Sequence, residues 1–216
     1  MTPLISPSML AADFLHLEKD VRMVNEHADL FHLDVMDGRF VPNISYGFPV
    51  IEAMAKIAEK PLDIHLMIQH PQVYLERFCK IPHAGLVSFH LDATRDDPES
   101  VLGIISNNGV KAGLAINPNI PVEKLYPYLD VCDFVVIMSV FAGFGGQSFI
   151  EDTYERVATI RQEIDRRGLD TMIEVDGGVS PKNSAKLVEC GADILVAGSA
   201  VFKSENPAAT VAAMRG

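Results

Sequence analysis

Histidine and aspartate alternate at the end of one apolar run, where the chain reads His32-Leu33-Asp34. If this run is a β-strand, its period of two places His32 and Asp34 on one face and Leu33 on the other. Two later apolar runs end in His65 and in Asp176. Two imidazoles and two carboxylates form a mixed nitrogen and oxygen set that can bind one divalent metal. The pattern indicates a metal site, although polar residues that hydrogen-bond each other at strand ends would produce it too.

The same string of residue types occurs a second time, as His90-Leu91-Asp92. Pattern alone does not separate the two strings, so their surroundings decide. Asp37 and Gly38 follow the first string as turn residues that lead into a long loop, and His65 lies one strand later. Nothing comparable flanks the second string. We therefore assign the first string to the site and interpret His90 as a packed or hydrogen-bonded imidazole.

Glycines cluster after the sixth, seventh and eighth apolar runs of the chain. Glycine lets backbone N–H groups turn towards an anion, and a following helix N-terminus adds partial positive charge. Each cluster alone would fit an ordinary turn. Together, in an acidic chain with few basic side chains nearby, they predict a phosphate pocket. The backbone N–H groups would come from Gly143, Phe144, Gly145, Gly146, Gly177, Gly178, Gly198 and Ser199.

These residues must be positioned by a regular scaffold, and the chain contains eight short apolar runs separated by helical segments. Alternating strands and helices require a parallel sheet, because parallel strands need crossover connections. Eight such units in 216 residues favour an α/β fold that closes into a (β/α)8 TIM barrel, which places the active site at the C-terminal strand ends. The strands are predicted to begin near Leu4, Leu30, Leu62, Leu86, Lys111, Phe134, Met172 and Ile194.

Helix signals lie between the strands, and no linker divides them. Asp97 and Pro98 are predicted to start one helix, and Ser180 and Pro181 another. No Ser-, Pro- or Gly-rich segment interrupts the chain, which is 48% hydrophobic. We therefore expect one catalytic domain over residues 1–216. One apolar face of the first helix is predicted to carry Phe14, Leu17, Val21 and Val24.

Composition excludes several classes of partner. The formal net charge is −11, which repels nucleic acid and anionic membranes because both bind through Lys and Arg. No apolar run approaches the roughly 18 residues of a membrane-spanning helix, and no basic segment begins the chain. The three cysteines are odd in number and far apart, which suits a reducing compartment. These features predict a soluble, cytoplasmic protein that binds neither nucleic acid nor membranes.

Several segments resemble ribulose-phosphate 3-epimerase, and the resemblance spans essentially the whole chain. The Asp-x-Met-Asp-Gly and Glu-Val-Asp-Gly-Gly stretches are its most specific parts. It implies a barrel of the ribulose-phosphate binding type that acts in the pentose phosphate pathway on a phosphorylated ketose. The matching segments are Ile5 to Ser8, His32 to Gly38, Phe40 to Asn43, Pro61 to Met67, Gly143 to Gln147, Glu174 to Gly178 and Ala197 to Ser199.

The resemblance assigns roles to the metal-type residues. It implies that His32, Asp34, His65 and Asp176 hold one catalytic divalent cation, for which mixed ligands admit zinc, iron, manganese or cobalt. It also implies that Asp34 and Asp176 are the acid and base. Epimerisation removes a proton from one face of a carbon beside a carbonyl and returns one to the other face, so two such groups are needed.

Further roles are implied for residues around this set. Ser8 and His65 would contact the substrate, and the family forms homo-oligomers. Thioethers cap the intermediate in the family, although methionines of the core would fit the sequence equally well. The matching methionines are Met36, Met67 and Met138.

One departure from the family pattern leaves substrate choice open. The family usually has Asn-Pro before the glycine-rich loop, whereas this chain has Phe141-Ala142. A related 3-epimerase for allulose 6-phosphate would share the metal set. A non-catalytic phosphate-sugar binding barrel is a rival of another class, and the four intact ligand positions argue against it. A metal-dependent phosphatase would usually need a second metal, for which the sequence shows no surplus carboxylates.

Overall fold

The structure is a computed structural model that describes residues 2–94 and 97–216. Within these residues, eight parallel strands alternate with helices, as predicted. Each strand begins within two residues of its predicted start. The strands are β1 (Leu4–Pro7), β2 (Phe31–Met36), β3 (Leu62–Met67), β4 (Ala84–His90), β5 (Lys111–Ile116), β6 (Phe134–Met138), β7 (Met172–Asp176) and β8 (Ile194–Ala197).

Helices cover the outside of the sheet, with one exception between β5 and β6. There the chain forms two short 3-10 helices, Val122–Lys124 and Tyr126–Tyr128. Pro118, Pro121 and Pro127 interrupt this segment, and proline cannot donate the backbone hydrogen bond of a longer helix. The helices are α1 (Leu17–His27), α2 (Phe48–Ala55), α3 (Leu75–Cys79), α4 (Pro98–Asn107), α5 (Thr153–Arg167), α6 (Ser184–Glu189), α7 (Ser199–Phe202) and α8 (Pro207–Arg215).

Strand order brings the two edges of the sheet together. The order is β1-β8-β7-β6-β5-β4-β3-β2, and a parallel bridge between Ser8 and His32 links the two outermost strands. The sheet therefore nearly closes into the predicted barrel. This closure places the end of β1 beside the polar end of β2, where the candidate site lies.

Side chains alternate between two apolar clusters, one outside the barrel and one inside. Leu33 of β2 packs with Val21 and Val24 of α1 in the outer cluster. Phe134 belongs to the inner cluster, and a Cβ at Gly113 would lie 2.3 Å from its ring. Glycine at position 113 therefore makes room for a phenylalanine that fills the barrel interior.

The structure agrees with one predicted helix start and differs from a second one and from the predicted position of Phe14. Helix α4 begins at Pro98 after Asp97, as predicted. Helix α6 begins at Ser184 rather than at Ser180, because Asn183 Oδ1 accepts a hydrogen bond from Ser180 N at 2.8 Å and holds the preceding residues in a turn. Phe14 precedes α1 and is 48% exposed, so its predicted place on the buried face is wrong.

No helix in the described part of the chain is long and apolar enough to span a membrane.

Candidate active site

Four buried side chains meet at the C-terminal ends of β2, β3 and β7. His32, Asp34, His65 and Asp176 each offer one nitrogen or oxygen atom, and these atoms lie within 4.8 Å of one another. His32 Nε2 lies 3.4 Å from Asp34 Oδ1 and 3.7 Å from Asp176 Oδ2. His65 Nδ1 lies 3.8 Å from the same Asp176 oxygen. The structure therefore brings together all four residues of the predicted metal set.

Two unpartnered nitrogens show that the cluster fits a cation. His32 Nε2 and His65 Nδ1 are buried and have no hydrogen-bond partner in the described part of the chain. Buried polar atoms normally have a partner, so each such nitrogen needs an explanation. Both face the carboxylates of Asp34 and Asp176. A divalent cation bound by two imidazoles and two carboxylates would satisfy both nitrogens at once.

Serine side chains fix the backbone at the two carboxylates. Ser45 Oγ donates to the carbonyl oxygen of Asp34 at 2.5 Å and accepts from Met36 N at 3.0 Å. Ser139 donates to the carbonyl oxygen of Asp176 through both its N–H, at 2.8 Å, and its Oγ, at 2.9 Å. Each carboxylate therefore projects from a strand end whose position is held by neighbouring loops.

The two carboxylates have different proton affinities. Burial acts to raise the pKa of Asp34, but the charge of His32 and a 2.5 Å hydrogen bond from Ser8 Oγ outweigh burial and lower that pKa to about 2. Burial and the nearby Asp34 charge raise the pKa of Asp176 to about 7. Near neutral pH, Asp34 is therefore ionised while Asp176 exchanges its proton readily. Such a separation is typical of paired acid and base groups.

A second layer of buried polar groups lies next to His32. His32 Nδ1 hydrogen-bonds Asp63 Oδ2 at 2.7 Å, and Ser6 Oγ donates to the same oxygen at 3.1 Å. Glu174 Oε1 lies 3.5 Å from His32 Nδ1. Burial acts to lower the pKa of His32, but the charges of Asp63 and Asp34 raise it well above its ordinary value. Burial and the Asp63 charge raise the pKa of Glu174 well above its ordinary range.

This layer was missed by the sequence analysis. Asp63 and Glu174 do provide surplus carboxylates, so the statement that the sequence has none is wrong. Both are fully buried, and neither is among the residues that line the cavity in the described part of the chain. The alternation of β3 contained the signal, because Asp63 lies two residues before His65 and so shares its face. Bonding to Asp63 keeps the Nδ1 proton of His32 away from the cation site and orients the ring.

The second His-Leu-Asp string begins at the end of β4, and neither His90 nor Asp92 belongs to the four-residue cluster. His90 is fully buried, and its Nε2 lies 2.9 Å from His65 Nε2. Burial and the charge of His65 lower the pKa of His90 well below its ordinary value. Asp92 is exposed at the surface. The interpretation of His90 as a hydrogen-bonded imidazole is therefore confirmed.

A cavity of about 490 Å³ opens above the four-residue cluster. Asp34 and Asp176 form part of its floor beside Ser8. His65 is fully buried and is not among the residues that line the cavity in the described part of the chain, so it stands behind the surface where a substrate would lie. The three methionines of the inner cluster also border the cavity. These are Met36, Met67 and Met138.

The three glycine-rich loops border the same cavity, together with residues that the sequence analysis missed. Lys203 lies on this wall and is exposed, so the expectation of almost no basic side chains nearby overlooked one lysine. Asn43 also lines the cavity and donates to the carbonyl oxygen of Gly143 at 2.8 Å. The predicted phosphate positions on the wall are Gly143, Phe144, Gly145, Gly146, Gly177, Gly178, Gly198 and Ser199.

The unusual Phe141-Ala142 pair lies at the rim of this cavity. Phe141 is 52% exposed and lines the cavity. Ala142 N donates to Asn117 Oδ1 at 3.1 Å. The proline that usually occupies this position could not make that bond, because it has no N–H. The substitution therefore adds a hydrogen bond between the loop and the end of β5.

Barrels of this architecture carry their active sites at the rim where the polar groups meet, so fold and site together define a TIM-barrel enzyme. The sequence profile of the Ribulose-phosphate 3 epimerase family matches residues 4–202, and the chain belongs to this family. The chain is thus an isomerase, an epimerase that acts on carbohydrates.

Similar proteins support this assignment over the full length. A ribulose-phosphate 3-epimerase from Synechocystis is 45% identical over 213 residues, which cover 98% of this chain and 92% of the relative. That from Bacillus subtilis is 39% identical and covers 98% of each.

Solved structures support the barrel. A crystal structure of KGPDC from Streptococcus mutans has a TM-score of 0.71 at 12% identity, covering 99% of this chain and 96% of that one. A tryptophan synthase structure from Mycobacterium tuberculosis has a TM-score of 0.71 at 16% identity, covering 100% and 93%. At these identities the likeness shows the fold alone.

Proposed function

We propose that the chain is a ribulose-phosphate 3-epimerase that interconverts D-ribulose 5-phosphate and D-xylulose 5-phosphate with the help of one bound divalent metal. Family membership and the names of the relatives support the reaction class. The observation that carries the proposal is the pair of unpartnered nitrogens, His32 Nε2 and His65 Nδ1, which face two carboxylates of different pKa.

The two carboxylates would divide the proton transfers between them. Asp34, ionised because its pKa is about 2, accepts the proton from C3 on one face of the substrate. Asp176, the carboxyl whose pKa is raised in the metal-free protein, donates a proton to the opposite face. In the reverse direction the roles exchange. Positioned proton transfer of this kind typically contributes about 10²–10⁴-fold to a rate.

His32, Asp34, His65 and Asp176 would hold the cation. When bound, it supplies Lewis-acid stabilisation of the negative charge that develops on the substrate oxygens. Ser8 keeps Asp34 oriented by its hydrogen bond to Oδ2 and, being on the cavity wall, would also contact the substrate. Met36, Met67 and Met138 would cover the planar intermediate with apolar thioethers and keep water from it.

The cavity wall supports a phosphorylated substrate. Glycine-rich loops leave backbone N–H groups accessible to an anion, and the Lys203 ammonium adds one positive charge on the same wall. The substrate we propose is therefore a ketose phosphate rather than a free ketose. Phe141 lies on the rim, and we expect it to pack beside the loop with only a modest effect on the choice between ribulose 5-phosphate and allulose 6-phosphate.

Three expectations of the sequence analysis complete the proposal. Residues 1–216 act as one catalytic domain, since the strands of a single sheet carry all four residues of the cluster. The protein works in the cytoplasm as part of the pentose phosphate pathway. It forms homo-oligomers, as the resemblance to the family implies.

The decisive experiment is a side-by-side assay of metal-reconstituted protein with ribulose 5-phosphate, allulose 6-phosphate and unphosphorylated ribulose. We expect the highest kcat/KM for ribulose 5-phosphate, a very low value for ribulose, and loss of turnover after exhaustive chelation that one cation per chain restores. Full activity in protein shown to be metal-free by elemental analysis would contradict the metal-assisted mechanism. Preference for allulose 6-phosphate would contradict the substrate.

A further inference from the structure

His90 lies immediately behind the candidate metal site without belonging to the set of four. It is fully buried at the end of β4, its Nε2 is 2.9 Å from His65 Nε2, and its ring centroid is 4.9 Å from that of Phe40. An unpaired imidazole in such a position would be costly, because its polar nitrogens have lost water. The contact with His65 is therefore the feature that needs a chemical explanation.

Two imidazole nitrogens can form a hydrogen bond only if one carries a proton and the other does not. His65 Nδ1 is the nitrogen that faces Asp176, and it is unpartnered. A nitrogen that binds a cation must present a lone pair, so Nδ1 must be bare in the loaded protein. The proton of neutral His65 then lies on Nε2, and the acceptor 2.9 Å away is His90 Nε2.

We infer that His90 is a positioning residue that selects the tautomer of His65 by accepting the Nε2–H hydrogen bond, so that Nδ1 is presented to the cation. This inference rests on the proposed metal site. His90 is not among the residues that line the cavity in the described part of the chain. Its contact with the four-residue cluster is the one with His65 Nε2. Its effect is therefore expected on cation affinity and ring orientation rather than on proton transfer itself.

The other imidazole ligand provides an internal comparison. His32 would present Nε2 to the cation and is held at Nδ1 by Asp63, 2.7 Å away. His65 would present Nδ1 and is held at Nε2. The two rings thus require opposite tautomers, and each has a buried partner on the nitrogen that must keep its proton. Asp63 can only accept when ionised, whereas His90 can accept or donate, so its own tautomer must also be set.

Asn117 is the neighbour of the remaining His90 nitrogen. Asn117 Nδ2 lies 3.5 Å from His90 Nδ1, which is too long for a strong hydrogen bond, so this contact does not prevent His90 Nδ1 from carrying a proton in the loaded protein. Asn117 Oδ1 accepts a hydrogen bond from Ala142 N at 3.1 Å. The chain of contacts from His65 through His90 and Asn117 therefore ends at the loop before the glycine-rich segment.

Cation affinity of position-90 variants tests the inference. In His90→Gln the carboxamide oxygen can still accept the His65 proton, so zinc affinity measured by chelator competition should stay within about threefold of wild type. His90→Leu fills the site without an acceptor and should lose about 10–100-fold. His27→Gln, which removes an exposed imidazole, is the control and should change nothing. Circular dichroism of the metal-free proteins checks that each variant is folded.

A second measurement needs no variant. In zinc-loaded, nitrogen-15-labelled protein, NMR should show His65 Nε2 protonated, His90 Nε2 bare, and a coupling between these two nitrogens across the hydrogen bond. A protonated His90 Nε2 in that state would overturn the inference, as would wild-type zinc affinity in His90→Leu or an equal loss in both position-90 variants. If wild-type protein binds no cation, the proposed metal-assisted function is contradicted. That result differs from the outcomes that overturn the role of His90, all of which require a wild-type protein that binds zinc.

Discussion

The floor and the wall of the cavity are built on different physical principles. The floor consists of side chains from three strand ends, and its carboxylates are only 3% and 8% exposed for Asp34 and Asp176. The wall consists largely of loop backbone, and Phe141 and Phe144 on it are 52% and 53% exposed. The floor is held by buried hydrogen bonds before any ligand arrives, whereas the wall is shaped by loop conformation.

This difference determines how each region responds to change. Burial shifts the pKa values of the floor groups strongly and makes cation binding compete with protons. The glycines of the wall are needed for their backbone conformation. Gly177 and Gly178 have φ of +116° and +62°, which other residues rarely adopt. A Cβ at Gly178 would lie 2.8 Å from the backbone of Phe149. Substitution there therefore damages folding as well as anion binding and is a poor test of the phosphate pocket.

The largest effect we expect is the pH dependence of cation affinity, which belongs to the floor. In metal-free protein the pKa of Asp176 is raised to about 7 and that of His32 lies well above its ordinary value. Cation binding must therefore displace protons from both. Affinity should rise with pH, and more steeply below pH 7 than above it, where Asp176 is already ionised.

Calorimetric titration with zinc in buffers of different ionisation enthalpy measures this proton release directly. We expect about one more proton to be released per zinc near pH 6 than near pH 8, because Asp176 loses its proton between these two values. Asp176→Asn serves as the matched variant, because it should lose the change of slope near pH 7 while keeping the proton release from His32. Affinity that stays constant between pH 5 and pH 8 would show that the floor is not a proton-linked cation site.

A smaller effect is expected at the wall, and Gly145 offers a cleaner probe than its neighbours. A Cβ there would meet only Leu10 Cδ2, at 3.9 Å, so alanine fits the fold while projecting a methyl group beside the cavity. Gly145→Ala should raise KM for ribulose 5-phosphate about tenfold and leave kcat nearly unchanged, since the phosphate lies far from the reacting carbon.

Gly47→Ala is the control for this change, because a Cβ at Gly47 meets nothing within 4 Å and Gly47 lies outside the cavity. Steady-state kinetics of the two variants, with thermal unfolding as a check on stability, separate the outcomes. An unchanged KM in Gly145→Ala, or an equal rise in both variants, would remove this loop from the phosphate pocket.

The sequence predicted the scaffold and the floor well because both follow simple periodicities. Alternation along β2 and β3 placed His32, Asp34 and His65 correctly, and eight strand and helix units in a short chain indicated the barrel. The glycine clusters predicted which loops border the cavity. These features depend on local pattern and chain length, which are visible in one sequence.

Contacts between distant strands were harder to predict. The bond between His32 and Asp63, the pairing of His65 with His90, and the approach of Lys203 to the wall depend on registers between neighbouring strands and on loop paths. The missing helix between β5 and β6 has a local cause, its three prolines. The position of Phe14 before α1, where its ring lies 5.6 Å from that of Tyr46, depends on tertiary packing, which no pattern of residue types specifies.

The central claim is that Asp34 and Asp176 act on opposite faces of one substrate carbon. Its most direct test is exchange of the C3 hydrogen in deuterium oxide, followed by NMR or mass spectrometry, for zinc-loaded Asp34→Asn, Asp176→Asn and the control Asp92→Asn, with metal content measured in each. Both site variants should lose about 10²–10⁴-fold in epimerisation, while each retains exchange in only one of the two epimers and the control behaves as wild type. Near-native epimerisation in either site variant, or exchange of both epimers by the same one, would contradict the two-base account.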